Sequence, residues 1–250
     1  VSAYARLLGD GSVEVGTSRS PARQVLPAST NEEGGGTRLG HADYNFDGYQ
    51  DLDSSATLGQ VNESVTVYLY EPGSGQFRAL AAPEAPEISC EGFWSLTPDP
   101  STRTLSSSCR SGPMWYTDQY RFDGSTLYLY RSEDVLRLGD TLNNTLQPDR
   151  TEENGPLAVW RTHDASGRVL ESAIADGLSA PAANAPLRGQ QATVLTARLF
   201  LFDRPGAAST KRYLLQGDRV EMLDEKDGWM KLRYRNPKRG AIEGWVNVND

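Results

Sequence analysis

The sequence predicts an all-β protein, and three observations carry that expectation. Strand-like runs of β-branched and aromatic residues recur along the 250 residues. Three pairs of such runs are joined by tight-turn residues. No stretch of ten or more residues keeps a capped 3.6-residue period, so any helix should be short.

The elements follow in chain order. Residues 63–80, "ESVTVYLYEPGSGQFRAL", alternate on both sides of a Pro-Gly-Ser-Gly turn and read as a hairpin. Residues 116–132, "YTDQYRFDGSTLYLYRS", repeat the plan around Asp123-Gly124, and residues 157–172, "LAVWRTHDASGRVLES", repeat it around Ser166-Gly167. Residues 1–175 are therefore expected to form one antiparallel β domain. Residues 176–190 are rich in Ala, Pro and Gly without periodicity and read as a linker. Residues 191–250 hold about five short strands at regular spacing, the pattern of a small barrel.

Composition excludes several functions. The net charge of −8 is spread rather than blocked, which argues against a nucleic-acid partner. Two cysteines, Cys90 and Cys109, and two histidines, His41 and His163, are too few for a thiolate or imidazole metal cage. No run of 18 apolar residues occurs, so no transmembrane segment is expected. No basic-then-apolar leader opens the sequence. Catalysis has no signature: nucleophile elbow, zinc-protease helix, P-loop and dinucleotide fingerprint are all missing. His163-Asp164 falls at a hairpin turn, where the Asp serves turn chemistry, and the sequons at Asn62 and Asn143 are weak motifs. The chain is expected not to be an enzyme.

The most specific motif lies in "HADYNFDGYQDLD", residues 41–53. Written D-x-N-x-D-G-x-x-D, it places Asp43, Asn45, Asp47 and Asp51 at positions 1, 3, 5 and 9 of a calcium loop. Gly48 takes the sharp turn, and Tyr49 offers its backbone carbonyl. Several carboxylates so close together are tolerable when a hard cation neutralises them, so calcium is the expected cofactor. An EF-hand would need Glu at position 12, where Ser54 stands, and no helices flank the loop. A solvated acidic turn is the competing reading.

Two resemblances add to these residues. "LFDRPG", "LLQGDRVEML", "DGWMKLRY" and "GWVNV" resemble the bacterial SH3 (SH3b) domain over about 60 residues, although the first hairpin, "LFLFDRP", departs from the usual entry. Such domains bind peptidoglycan stems or pack on a neighbour, so Trp229 and Trp245 are either a ligand platform or half-buried core. The short calcium loop is similar to those of FG-GAP repeats in β-propellers. "YNFDGYQDL", "VYLYEPGSGQFRAL" and "TRTLSSSCRSGPMWYTDQYRFDGSTLYLY" together resemble an FG-GAP-like family of bacterial envelope proteins across residues 37–131. Its best-known members are Xanthomonadaceae lipoproteins that give immunity against lysozyme-like effectors of a type IV secretion system, similar in fold to PliI-type lysozyme inhibitors.

The resemblance implies a propeller-like or PliI-like domain followed by an SH3b barrel. It implies a periplasmic location, with an outer-membrane lipid anchor upstream of Val1 compatible with the family, and a lysozyme-like effector as protein partner. The "SGPMWY" turn is bulkier than the Gly-rich turn usual in that family. A hydrolase cleft with two carboxyl groups is blocked by a protruding loop bearing hydroxyls, an Arg fork and a ring. Arg110, Ser111, Trp115 and Tyr116, with Tyr120 just beyond, supply that set around a stiff Gly112-Pro113 tip. Packed strand residues are the alternative, and of the adjacent Trp115 and Tyr116 a strand would turn one outward. In an oxidising periplasm Cys90 and Cys109 would pair and brace the base of this loop; two free, buried thiols are the other possibility. A calcium-stabilised module that binds peptidoglycan through the SH3b domain is the alternative function.

Overall fold

The computed structural model describes residues 1–30, 36–59, 61–136, 139–149, 155–177 and 179–249. They are organised in antiparallel sheets with one six-residue helix, and among them no sheet closes into a barrel. The chain divides into two compact units, Val1–Tyr130 and Arg131–Asp250.

In the first unit, β1 (Ala3–Leu7), β2 (Val13–Thr17) and β3 (Gln24–Leu26) form a three-stranded sheet. Next, β4 (Arg38–Ala42), β5 (Asp51–Leu58), β6 (Asn62–Glu71) and β7 (Gln76–Ala79) form a four-stranded meander. After these come β8 (Thr97–Asp99), β9 (Thr104–Ser111), β10 (Met114–Asp123) and β11 (Thr126–Val135), of which the last runs on into the second unit.

Strand β6 explains the layering of this unit. Val67 and Leu69 enter a core with Phe93, Leu105, Tyr120, Leu127 and Leu129. Tyr68 and Tyr70, one residue out of phase, enter a second core with Val13, Val15, Leu52 and Phe77. Alternate side chains of a strand face opposite ways, so "VTVYLY" is covered on both faces and needs almost no polar position. Each such side chain contributes about 1.5–3 kcal/mol on burial.

In the second unit, the last five residues of β11 pair with β13 (Leu157–His163), which pairs with β14 (Val169–Asp176). Helix α1 (Asp140–Thr145) leads into β12 (Leu146–Pro148). That strand edges a five-stranded sheet with β15 (Gln191–Val194), β18 (Arg219–Lys226), β19 (Trp229–Asn236) and β20 (Gly240–Asn247). Strands β16 (Arg198–Phe200) and β17 (Tyr213–Leu215) form a separate ribbon, tied to β20 through a bridge between Phe202 and Trp245. The expected barrel is thus a sheet plus a ribbon. All three expected hairpins are present, as β6–β7, β10–β11 and β13–β14, with Gly75, Gly124 and Gly167 at positive φ in their turns.

The division along the chain falls between Tyr130 and Arg131, so the stretch expected to be a linker, 176–190, belongs to the second unit. One core joins Leu157, Val159 and Ile174 to Val194, Val220, Met222, Leu232 and Val246. The Ala/Pro stretch is held by a buried cation: the Arg131 guanidinium donates to the carbonyls of Pro181 (3.2 Å), Ala182 (3.0 Å) and Ala185 (3.2 Å). Glu171 accepts from the Leu187 amide and lies 3.6 Å from Arg131. Composition alone reads such a segment as free because it cannot show a donor supplied from 50 residues away.

Candidate functional site

The acidic loop connects β4 to β5. Asp43 accepts from the Asp47 and Gly48 amides at 3.0 and 2.9 Å, and Asp47 accepts from Tyr49 at 2.9 Å. Asn45 bonds to Asp47 both through the Asp47 amide and through its own Nδ2. Gly48 turns the chain at φ 89°, a left-handed value natural to glycine. Phe46 takes φ 60°, which strains a residue with a Cβ; Arg103 donates to its carbonyl at 3.0 Å and lies over its ring.

Asp51 differs from the other acids. It is buried at the start of β5, where its two oxygens accept the Tyr44 and Tyr70 amides, both at 2.8 Å. Burial pushes its pKa up to about 6 against the lowering effect of those amides. Among the described residues no three His, Cys, Asp or Glu side chains are gathered as a ready metal-holding group. The donor chemistry nonetheless suits calcium: all the oxygens are hard, and a carboxylate that accepts one N–H per oxygen keeps further lone pairs.

The hairpin β9–β10 carries the second cluster. Its register sets Ser111 against Met114, leaving Gly112-Pro113 as a two-residue turn. Gly112 has φ 59°, as a II′ turn requires at its first central position, and proline suits the second. Trp115 faces Arg110 directly across the hairpin, and both are exposed, Trp115 by 40%. Tyr116 pairs with Cys109 on the opposite, core-facing side and is half-buried. Ser111 is exposed beside the turn. The Arg110 Nε donates to the Gly112 carbonyl at 3.2 Å, which holds the guanidinium against the tip.

Two devices stiffen the base. Cys90 and Cys109 form a disulfide that closes a separation of 19 residues. The Asn62 side chain pairs with the Arg110 backbone in both directions, donating to its carbonyl at 2.9 Å and accepting its amide at 2.8 Å. Asn62, a sequon in the sequence, thus acts as one more rung on the β9 ladder. Asp118 lies buried below, accepting from the Ser89 amide at 3.0 Å next to the disulfide. Burial raises its pKa to about 6.

One expected surface residue is in the core. Tyr120 is fully buried with its ring edge-on to Phe93, so it cannot be a partner contact. The period-2 rule explains this, because it shares a face with Tyr116, Asp118 and Leu105 rather than with Trp115. Trp229 and Trp245 are both half-buried, Trp229 in edge contact with Phe202. His163 is buried and hydrogen-bonded to Ser132 at 2.9 Å.

The sequence reading missed an open cleft between β1, β4, β5, β6 and β7. Tyr4, His41, Gln50, Tyr70 and Phe77 line it together with Tyr49. Of these only Tyr49 held an assigned role, through its carbonyl; His41 and Gln50 flank it in residues 41–53, Tyr70 and Phe77 come from the 63–80 hairpin and Tyr4 from β1, and no spacing rule unites them. Compared with known proteins, the chain matches no family model, no curated protein and no solved structure. No helix among the described residues is long and apolar enough to cross a membrane.

Proposed function

We propose that this chain is a periplasmic inhibitor of a lysozyme-like peptidoglycan hydrolase, an immunity protein of the kind that protects a cell from a delivered effector. The observation that carries this reading is the β9–β10 tip, where an exposed Trp115 and an exposed Arg110 stand side by side, one cross-strand pair back from the two-residue turn. A guanidinium fork matches the carboxyl groups of a hydrolase cleft, and an adjacent indole excludes water from that contact. The disulfide and the Asn62 clamp remove conformational freedom before binding, so less entropy is lost on docking. Resemblance to FG-GAP-like envelope proteins over residues 37–131 supports the same assignment, and the disulfide suits an oxidising compartment.

The loop from Asp43 to Asp51 would hold one calcium ion through Asp43, Asn45, Asp47, the Tyr49 carbonyl and Asp51. Calcium there would neutralise the acidic loop and fix the start of β5. A wall-binding module is the second reading. It is favoured by Phe200, Tyr213 and Leu215, which are about half exposed on the β16–β17 ribbon.

Clearing of cell-wall suspensions by the cognate hydrolase tests the assignment. An inhibitor stops clearing at a stoichiometric ratio. A protein that sediments with sacculi and leaves the clearing rate unchanged is a wall binder, and the inhibitor reading fails.

A further inference from the structure

The cleft beside the acidic loop has a volume of about 600 Å³ and shares no lining residue with the hairpin tip. Four aromatic rings line it, with Val15, Leu39 and Leu52 beside them. Tyr49 meets Tyr70 at 5.6 Å between centroids, and Tyr70 meets Phe77 at 5.4 Å, both tilted. Tyr4 pairs with Gly16, where a Cβ would come within 2.5 Å of the ring, so glycine lets the ring lie over β2. Its hydroxyl bonds to Glu14 at 3.2 Å. Tyr4 and Tyr49 remain 45% and 43% exposed.

Polar groups are few. His41 Nδ1 bonds to Gln50 Oε1 at 2.9 Å, an arrangement that leaves the amide N–H groups of Gln50 to donate elsewhere. The Tyr70 hydroxyl is buried with no hydrogen-bond partner, a group that costs free energy until something meets it. Among the described lining residues there is no Lys or Arg, and the oxygens of Asp51, the one carboxylate, already accept backbone amides.

These features select a class of ligand. An anion finds no lysine or arginine to pair with, and the one carboxylate, Asp51, is already assigned to the calcium loop. A plain hydrocarbon would cover the exposed polar groups of Gln50 and His41 without satisfying them. A pyranose ring has an apolar C–H face for the tyrosines and hydroxyls for the polar groups. We infer that the cleft formed by Tyr4, His41, Tyr49, Gln50, Tyr70 and Phe77 binds a neutral saccharide. This site stands independently of the inhibitory hairpin.

Calorimetric titration with chitotriose, cellotriose and maltotriose tests the inference. The parent protein should bind at least one of them. Tyr4→Ala and Tyr49→Ala should each weaken that binding by about tenfold or more, the scale of one lost aromatic contact. Gln50→Ala should weaken it too, and Trp115→Ala should not. Tyr4 and Gln50 decide the matter if Tyr49→Ala disturbs the acidic loop, with melting curves confirming that each variant folds. No binding of any trisaccharide at millimolar concentration, or equal binding by parent, Tyr4→Ala and Gln50→Ala, overturns the proposal. Saccharide binding by a parent that fails to inhibit a hydrolase would refute the inhibitor reading alone.

Discussion

Replacing Trp115 with alanine should cost inhibition far more than it costs folding. The two effects separate because the indole is 40% exposed and lies on the outward face of the β9–β10 hairpin, opposite Arg110. An anchor of this type in the desolvated centre of an interface contributes about 2 kcal/mol or more, so the inhibition constant should rise roughly thirtyfold. Folding stability should stay within about 1 kcal/mol of the parent's, since no buried partner is lost. Tyr116→Ala is the internal control: its ring is half-buried on the Cys109 side, so its main effect should be on melting. Arg110→Ala should also weaken inhibition, and Arg110→Lys should restore it only in part, because an ammonium cannot make a bidentate fork. The assay is a titration of the cognate hydrolase with each variant, run beside thermal melts. Full inhibition by both Trp115→Ala and Arg110→Ala would refute the reasoning and move the contact surface elsewhere.

Chelation with EDTA should lower the melting temperature if calcium occupies the acidic loop, and Asp47→Ala should melt like the chelated parent; at a hundredfold excess of calcium over its Kd the linkage is about 3 kcal/mol. Identical melts with and without chelator would dismiss calcium. Reducing Cys90–Cys109 should destabilise the first unit by about 3 kcal/mol from chain entropy, read by urea unfolding with and without reductant, and no change would remove its bracing role. Arg131→Met should destabilise the second unit by about 3 kcal/mol in the same assay, because three carbonyls at 181–185 lose their buried donor, and should open that stretch to protease. Asp118 is protonated more readily in the fold than in the unfolded chain, since burial lifts its pKa from the usual 3.8 to about 6. Its contribution is therefore present below pH 4 and lost as pH rises to about 6, by up to about 3 kcal/mol. Asp118→Asn should flatten that part of the stability curve, and an unaltered slope would show that the carboxyl titrates normally.

Local rules made the strands legible and left their grouping obscure. The hairpins at 63–80, 116–132 and 157–172 were readable because alternation and turn residues act over a few positions, and each turn does place glycine at positive φ. The unit boundary was not readable in the same way. Residues 176–190 lack an apolar period, which in isolation describes a linker, yet the carbonyls of Pro181, Ala182 and Ala185 and the amide of Leu187 are met by Arg131 and Glu171 from β11 and β14. Such long-range donors leave no trace in a window of fifteen residues. The same limit hid the saccharide cleft, whose wall residues are spread from Tyr4 to Phe77.

At the hairpin tip, sequence reasoning reached a choice that only register could resolve. Adjacent strand residues must point to opposite faces, so one of Trp115 and Tyr116 had to turn outward, but the pattern around them did not say which. The pairing of Tyr116 with Cys109 decides it, because Cys109 is buried in its disulfide and draws its cross-strand neighbour to the same side. Counting on by twos puts Asp118 and Tyr120 on that side as well, and both are buried. Counting from Arg110 keeps Trp115 on the other side with Thr117 and Ser108, whose hydroxyls bond across the strands at 3.0 Å. The disulfide therefore does more than tether a loop: by fixing which face of β9 is inside, it fixes Trp115 and Arg110 as the pair presented outward.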